Sequence, residues 1–118
     1  MQKNLPFKRT DRVADRVFEM LTALMHLEIS NPRLLNVSVT RVRMTDDLKI
    51  ARIYFYSESM NELAKKNALA GFESAKGFIR GKIAKELQLK FTPDLEFYYD
   101  DSLDLFAKLE AVTGSGGK

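Results

Sequence analysis

SMNELAKKNALAGFESAKGFIRGKIAKELQ, Ser59 to Gln88, is the stretch on which the fold turns. Ser59-Met60-Asn61-Glu62 reads as a capping box: the serine satisfies an orphan helical N–H and the glutamate reaches back to the serine's own. Ala64, Ala68, Phe72, Ala75, Ile79, Ile83 and Leu87 then recur three or four apart, the spacing of one helical face. At ~100° per residue that stripe rotates by roughly 140° from end to end. A straight helix would swing one end off a common core. Gly71 and Ala75-Lys76-Gly77 lie midway, where a bend costs least. The expectation is two shorter helices joined by a kink near Ala75 to Gly77.

Upstream lies a β-hairpin. Leu35 to Met44 is rich in β-branched residues, and its alternation slips between Val39 and Val42, which places a bulge near Arg41 or covers both faces. Thr45-Asp46-Asp47-Leu48 is a turn. Ile50 to Ser57 then alternates, with Ala51, Ile53 and Phe55 on one face and Arg52, Tyr54 and Tyr56 on the other. Before the hairpin, Val13, Val17, Met20, Leu21 and Leu24 mark an amphipathic helix from about Thr10 to Glu28, capped by Thr10 or Asp11 and stopped by Asn31-Pro32. After the central helices, Leu89 to Tyr99 alternates as a third strand, which Pro93 breaks or confines to a sheet edge. Ser102 can cap a last short helix through Leu105, Phe106, Leu109 and Val112. The order is α-β-β-α-(kink)-α-β in an α+β domain over residues 1–112, and residues 113–118 form a disordered tail.

A chain of 118 residues with 45% hydrophobic, 10% aromatic and 30% charged residues holds one globular core and no second catalytic domain. No apolar run reaches the ~20 residues that span a bilayer, and residues 1–7 lack the apolar stretch of a signal peptide. With no cysteine there is no disulfide, thiolate zinc site or cysteine nucleophile. A soluble cytoplasmic protein is expected. Net charge is +3, unevenly spread: residues 1–43 carry +4, 44–62 carry −2, 63–91 carry +5 and 92–118 carry −4. Two basic blocks suit a polyanion partner or an ordinary solvated surface.

The residues give little to an enzyme. His26 is the only histidine and sits near a helix end beside Met25 and Leu27, which suits a partly buried structural role. Asp46-Asp47 and Asp100-Asp101 fit turn and helix-start chemistry better than a hard-metal site. No phosphate-cradling G-x-x-x-x-G-K or dinucleotide fingerprint occurs, so neither cofactor nor metal is expected. Nucleic acid has more behind it. Arg9, Arg12 and Arg16 share one face of the first helix, Lys65 and Lys66 lie on the second, and Lys76 and Arg80 are a turn apart at the kink. Lys82 and Lys85 follow, and Arg33 precedes the hairpin. Such arrays hold phosphates. Tyr54, Tyr56, Tyr98 and Tyr99 could stack on bases, although packing is the commoner use.

These pieces together resemble the bacterial ribosome-binding factor A family. The resemblance runs through Phe7-Lys8-Arg9-Thr10-Asp11-Arg12-Val13, Asn31-Pro32-Arg33-Leu34, Val37-Ser38-Val39-Thr40-Arg41-Val42 and Asp46-Asp47-Leu48-Lys49-Ile50-Ala51. It continues in Ala75-Lys76-Gly77-Phe78-Ile79-Arg80 and in Pro93-Asp94-Leu95-Glu96-Phe97 with Asp100 and Ser102. It implies a type II KH-like fold with a three-stranded sheet packed on helices, in which an alanine-centred kink replaces the phosphate-clamping G-x-x-G loop. It also implies binding to free small (30S) ribosomal subunits, late maturation of their 16S rRNA, departure before translation, and a link to cold adaptation. Leu103-Asp104-Leu105-Phe106 departs from the family's tail. The expected protein is a monomeric, non-enzymatic assembly factor whose partners are the small subunit, its rRNA and other assembly factors or GTPases. The alternative is a protein-interaction module using the sheet edge or the acidic C-terminal end.

Overall fold

The hairpin is built from local signals. In a computed structural model that describes residues 8–57 and 61–102, β1 (Val37–Met44) pairs antiparallel with β2 (Ile50–Ser57). The turn between them is stitched by its own side chains. Asp47 Oδ1 accepts from Thr45 Oγ1 at 2.8 Å and from the Lys49 N–H at 3.0 Å, and Thr45 Oγ1 accepts from the Ile50 N–H at 3.0 Å. The Thr45 and Lys49 bonds hold the Asp47 carboxyl below its ordinary pKa. Leu48 closes the turn at φ 62°. The register slips between Val39 and Arg41, so the bulge sits at Thr40, next to the expected position.

The first helix, α1, runs Arg9–Leu27 and buries Val13, Val17, Leu21 and Leu24. Its cap position is Lys8, not Thr10 or Asp11. Asp11 still serves the helix start, from inside the first turn: its Oδ2 accepts the Lys8 N–H at 3.3 Å. A 3-10 turn, Pro32–Leu34, follows Asn31, whose side chain accepts the Arg33 N–H at 2.9 Å.

The expected pair of central helices is one helix. α2 runs unbroken from Glu62 to Leu87, 26 residues. Its fully buried side reaches only from Ala68 to Ile83, and Ala64 and Leu87 are half-buried. Over that shorter span the stripe turns by only about 60°, little enough for a single helix on a twisted sheet. Gly71 serves a different purpose from bending. A Cβ there would stand 3.0 Å from Arg33 Cβ and 3.0 Å from Leu34 Cγ, so its bare backbone lets the 3-10 turn lie against α2. Ala75 packs half-buried on the core, while Gly77 is exposed and faces open space. The cap is Asn61, whose Oδ1 accepts the Ala64 N–H at 2.7 Å; Ser59 lies outside the described residues.

β3 is Asp94–Tyr99, shorter than the Leu89–Tyr99 expected. Proline offers no N–H to a ladder. Pairing therefore starts one residue after Pro93, where the Asp94 N–H donates to the Lys49 carbonyl at 2.8 Å. β3 lies parallel to β2 in the order β1-β2-β3, an edge strand as the proline suggested. Ala51, Ile53 and Phe55 of β2 are fully buried against the helices, joined by Leu95 and Phe97 of β3 and by Phe72 of α2. The sheet's other face carries no helix of the described residues. The expected helix after Ser102 and the glycine-rich tail lie outside the described residues.

Asp100 ties the end of β3 to the bulge. Its Oδ2 accepts from Thr40 Oγ1 at 2.5 Å, and its Oδ1 accepts from the Ser102 N–H at 3.0 Å and Ser102 Oγ at 2.6 Å. Burial would raise this carboxyl's pKa, but the bonds from Ser102 and Thr40 outweigh it and hold it below the ordinary value. A depressed folded pKa means stability that is complete above the unfolded value of about 3.9 and is lost as pH falls through the folded one. Asp100→Asn is expected to cost roughly 1–3 kcal/mol near neutral pH. Urea unfolding at a series of pH values should show the gap to wild type closing below about pH 4. A gap constant down to the acid limit would mean that the charge of Asp100 is immaterial.

Candidate nucleic-acid interface

The basic residues singled out in the sequence fall into groups that the structure treats differently. Arg9, Arg12 and Arg16 are exposed on one flank of α1, and none forms an ion pair among the described residues. That flank borders a groove of about 330 Å³ between α1 and α2, which Arg16 and Lys82 line from opposite helices above Leu24, Leu27 and Leu87. Lys82 bridges the groove to Glu28 at 3.2 Å and stands 5.5 Å from the Phe78 ring centroid. Lys85, one turn on, is exposed, as is Lys66 further up the helix. Arg33 is exposed in the 3-10 turn, close to Gly71 and away from the groove.

Lys65, Lys76 and Arg80 do not join that flank. They face β3. Lys65 Nζ stands 4.3 Å from the Tyr99 ring centroid and pairs with Glu62 at 3.5 Å. Lys76 lies between Glu73 at 3.4 Å and Asp94 at 3.7 Å. Arg80 donates from Nε to the Pro93 carbonyl at 3.0 Å and from Nη2 to the Thr92 carbonyl at 3.2 Å. Helical spacing alone puts Lys76 and Arg80 a turn apart on one face at the expected kink. The unbroken helix and the chain entering β3 give them structural partners instead. Arg80→Ala strips a charged donor from two carbonyls beside buried Pro93, and is expected to destabilise the fold by roughly 1–3 kcal/mol. A lower urea midpoint at unchanged m-value checks it; a wild-type midpoint would return Arg80 to the solvent.

The sheet's open face holds charges of its own. Register places Arg41, Tyr54 and Tyr98 in one row across the three strands, and Arg43, Arg52 and Glu96 in the next. The Arg41 guanidinium lies 4.2 Å from the Tyr54 centroid, and the Tyr54 and Tyr98 rings stack at 5.5 Å. Arg52 Nε meets Glu96 at 3.3 Å, and Tyr98 Oη donates to the same carboxylate at 2.6 Å. Those two donors, the tyrosine first, lower the Glu96 pKa, and the carboxylate in turn raises that of Tyr98. The other two tyrosines pack at the sheet's end: Tyr56 stacks on Tyr99 at 5.9 Å, and Phe55 meets Tyr99 edge-on at 5.7 Å.

His26 is exposed at the end of α1, not partly buried. It lines a second groove, about 870 Å³, between α1, the 3-10 turn and β1. No group of three or more His, Asp or Glu able to hold a metal occurs among the described residues.

Comparison with known proteins places this arrangement. The model of the ribosome-binding factor A family matches residues 9–113. The chain belongs to that family. A ribosome-binding factor A of Desulfatibacillum aliphaticivorans is 43% identical over 104 residues, covering 88% of this chain and 84% of the relative. Among solved structures, a Thermotoga maritima ribosome-binding factor A is similar at TM-score 0.68 and 26% identity, covering 83% of this chain and 92% of that one. A homology model of the Thermus thermophilus ribosome-binding factor A, fitted into a cryo-electron-microscopy map of its 30S complex, is similar at TM-score 0.59 and 21% identity, covering 75% of this chain and 91% of that one. The α+β, KH-like architecture expected from the sequence is the family's. The family match begins at Arg9, so the arginine flank of α1 lies inside it.

Sequence reasoning passed over Arg41, Arg43 and Arg52. The signal that could have found them is the polar half of the strand alternation. Arg52 and Tyr54 stand opposite the buried set, and the bulge turns Arg41 and Arg43 to their side.

Proposed function

We propose that this protein is an assembly factor that binds the free small ribosomal subunit through the exposed basic flank of α1 and aids late maturation of its 16S rRNA. The observation that carries the reading is that Arg9, Arg12 and Arg16 stand exposed on one helical face and form no ion pair among the described residues. Such a face suits phosphates, which fix position without reading sequence. Membership of the ribosome-binding factor A family supplies the class of partner, and the Thermus thermophilus member's 30S complex narrows it to the small subunit. Lys82 and Lys85 extend the flank across the groove. Lys65, Lys76 and Arg80 face β3 and Arg33 lies in the 3-10 turn, apart from this flank, and Lys66 adds charge at its margin.

Action is by differential binding: the protein favours one rRNA conformation and shifts a population, with no bond chemistry. One KH-like domain to about residue 112 performs it, as a monomer in the cytoplasm, with other assembly factors or GTPases as further partners. No helix among the described residues is long and apolar enough to cross a membrane. Fractionation of a lysate on a density gradient tests the proposal. Co-migration with free small subunits and absence from translating ribosomes is expected. Equal abundance on both sinks it.

A further inference from the structure

We infer that the open face of the sheet is a second nucleic-acid surface, one that takes unpaired RNA bases, on the side opposite the helices. The claim goes beyond the function proposed above, which uses only the helical flank. Two cross-strand rows carry it. In one, Arg43 and Arg52 are direct partners on adjacent strands, both exposed. Like charges placed opposite each other destabilise a sheet. Glu96 is the only carboxylate in these rows; it pairs with Arg52 and also accepts from Tyr98. Arg43 has no ion pair among the described residues. With Arg41 in the neighbouring row, which also feels the Asp100 carboxylate at the end of β3, the two rows carry three guanidiniums and one acid, an excess that complements a phosphate backbone.

The second row settles what kind of polyanion. Arg41, Tyr54 and Tyr98 lie side by side, guanidinium over ring and ring against ring, and Tyr98 remains 41% exposed. The Tyr54 ring is taken up by Arg41 and Tyr98, and the partly exposed Tyr98 ring ends the stack beside a phosphate-binding row, an arrangement that suits unpaired nucleotides, base stacked and backbone paired. A duplex offers no free base faces to such a row, and an acidic protein would use the arginines but not the tyrosines. The rows lie on the far side of the sheet from α1, so the chain can hold a single-stranded segment on one side while its helices rest on another part of the rRNA.

The test titrates full-length protein into a fluorescent, unstructured RNA of about a dozen nucleotides and into a paired RNA stem. Tyr98→Leu is expected to weaken single-strand binding about tenfold and leave stem binding unchanged. Tyr98→Phe, which keeps the ring, should restore it. Arg43→Ala should lower the salt slope by about one unit without loss of thermal stability. The chain has four tyrosines and no tryptophan, and Tyr54 and Tyr98 lie in this row, so stacking should also quench intrinsic fluorescence. Wild-type affinity in Tyr98→Leu overturns the inference. Loss of small-subunit binding by Arg43→Ala with intact oligonucleotide affinity assigns the face to an acidic protein and also overturns it. The two readings fail separately. A protein that binds the oligonucleotide through Tyr98 but not small subunits loses the proposed function and keeps this surface. One that binds small subunits while Tyr98→Leu leaves the oligonucleotide untouched does the reverse.

Discussion

Arg9→Ala, Arg12→Ala and Arg16→Ala combined should leave the fold intact and shallow the salt dependence of small-subunit binding by about three units, roughly one per lost phosphate contact. Folding is spared for two reasons. All three side chains are exposed and make no ion pair among the described residues, and alanine is the best helix former. Asp11, which serves the helix start, is untouched. Binding suffers because a phosphate contact gains mostly from releasing counterions, so the loss is greatest at low salt and shrinks as salt rises. Binding to free small subunits across a salt series, beside a thermal melt of the variant, reads both halves. A variant that melts normally and keeps the wild-type slope would remove α1 from the interface.

Phe72→Ala should cost about 3–5 kcal/mol, a large part of the stability of a domain this size. Phe72 is fully buried where α2 meets the sheet. Its ring lies 4.8 Å from Phe97, nearly parallel at 13°, and 5.1 Å from Phe55. Truncation opens a cavity bounded by two strands and a helix, which cannot collapse without moving all three. Phe72→Leu keeps most of the volume and should lose less. Urea unfolding of the two variants beside wild type checks the order. An alanine variant within about 1 kcal/mol of wild type would mean that the helix can slide to refill the site.

Lys76 and Arg80 face the chain that enters β3. Their spacing of four puts them on one helical face, and that much was legible. Which way the face looks was not, because it depends on the path of residues 92–94, which β3 fixes by pairing with Lys49 and its neighbours far back in the chain. Once the chain passes beneath α2, two carbonyls and Asp94 stand against these side chains. Gly71 teaches the same lesson. Its residue type suggested bending, whereas its use is close approach to Arg33 and Leu34, contacts that span some forty residues of sequence.

Local signals along the chain account for the elements whose determinants lie within a few residues of one another. The apolar stripe of α1, the Thr45–Leu48 turn, the bulge beside Arg41, the alternation of β2 and the halt at Pro93 all appear in the structure within a residue or two. Each is a local competition between propensity, hydrogen bonding and period, decided by neighbours in the chain. The continuity of α2, the partners of Lys65, Lys76 and Arg80, and the juxtaposition of Arg43 with Arg52 on a face that no described helix covers were out of reach of local signals. Those depend on which strands pair, in what register and what packs on which side. Such contacts between distant residues draw their free energy from burial and ladder bonds that periodicity along the chain does not encode.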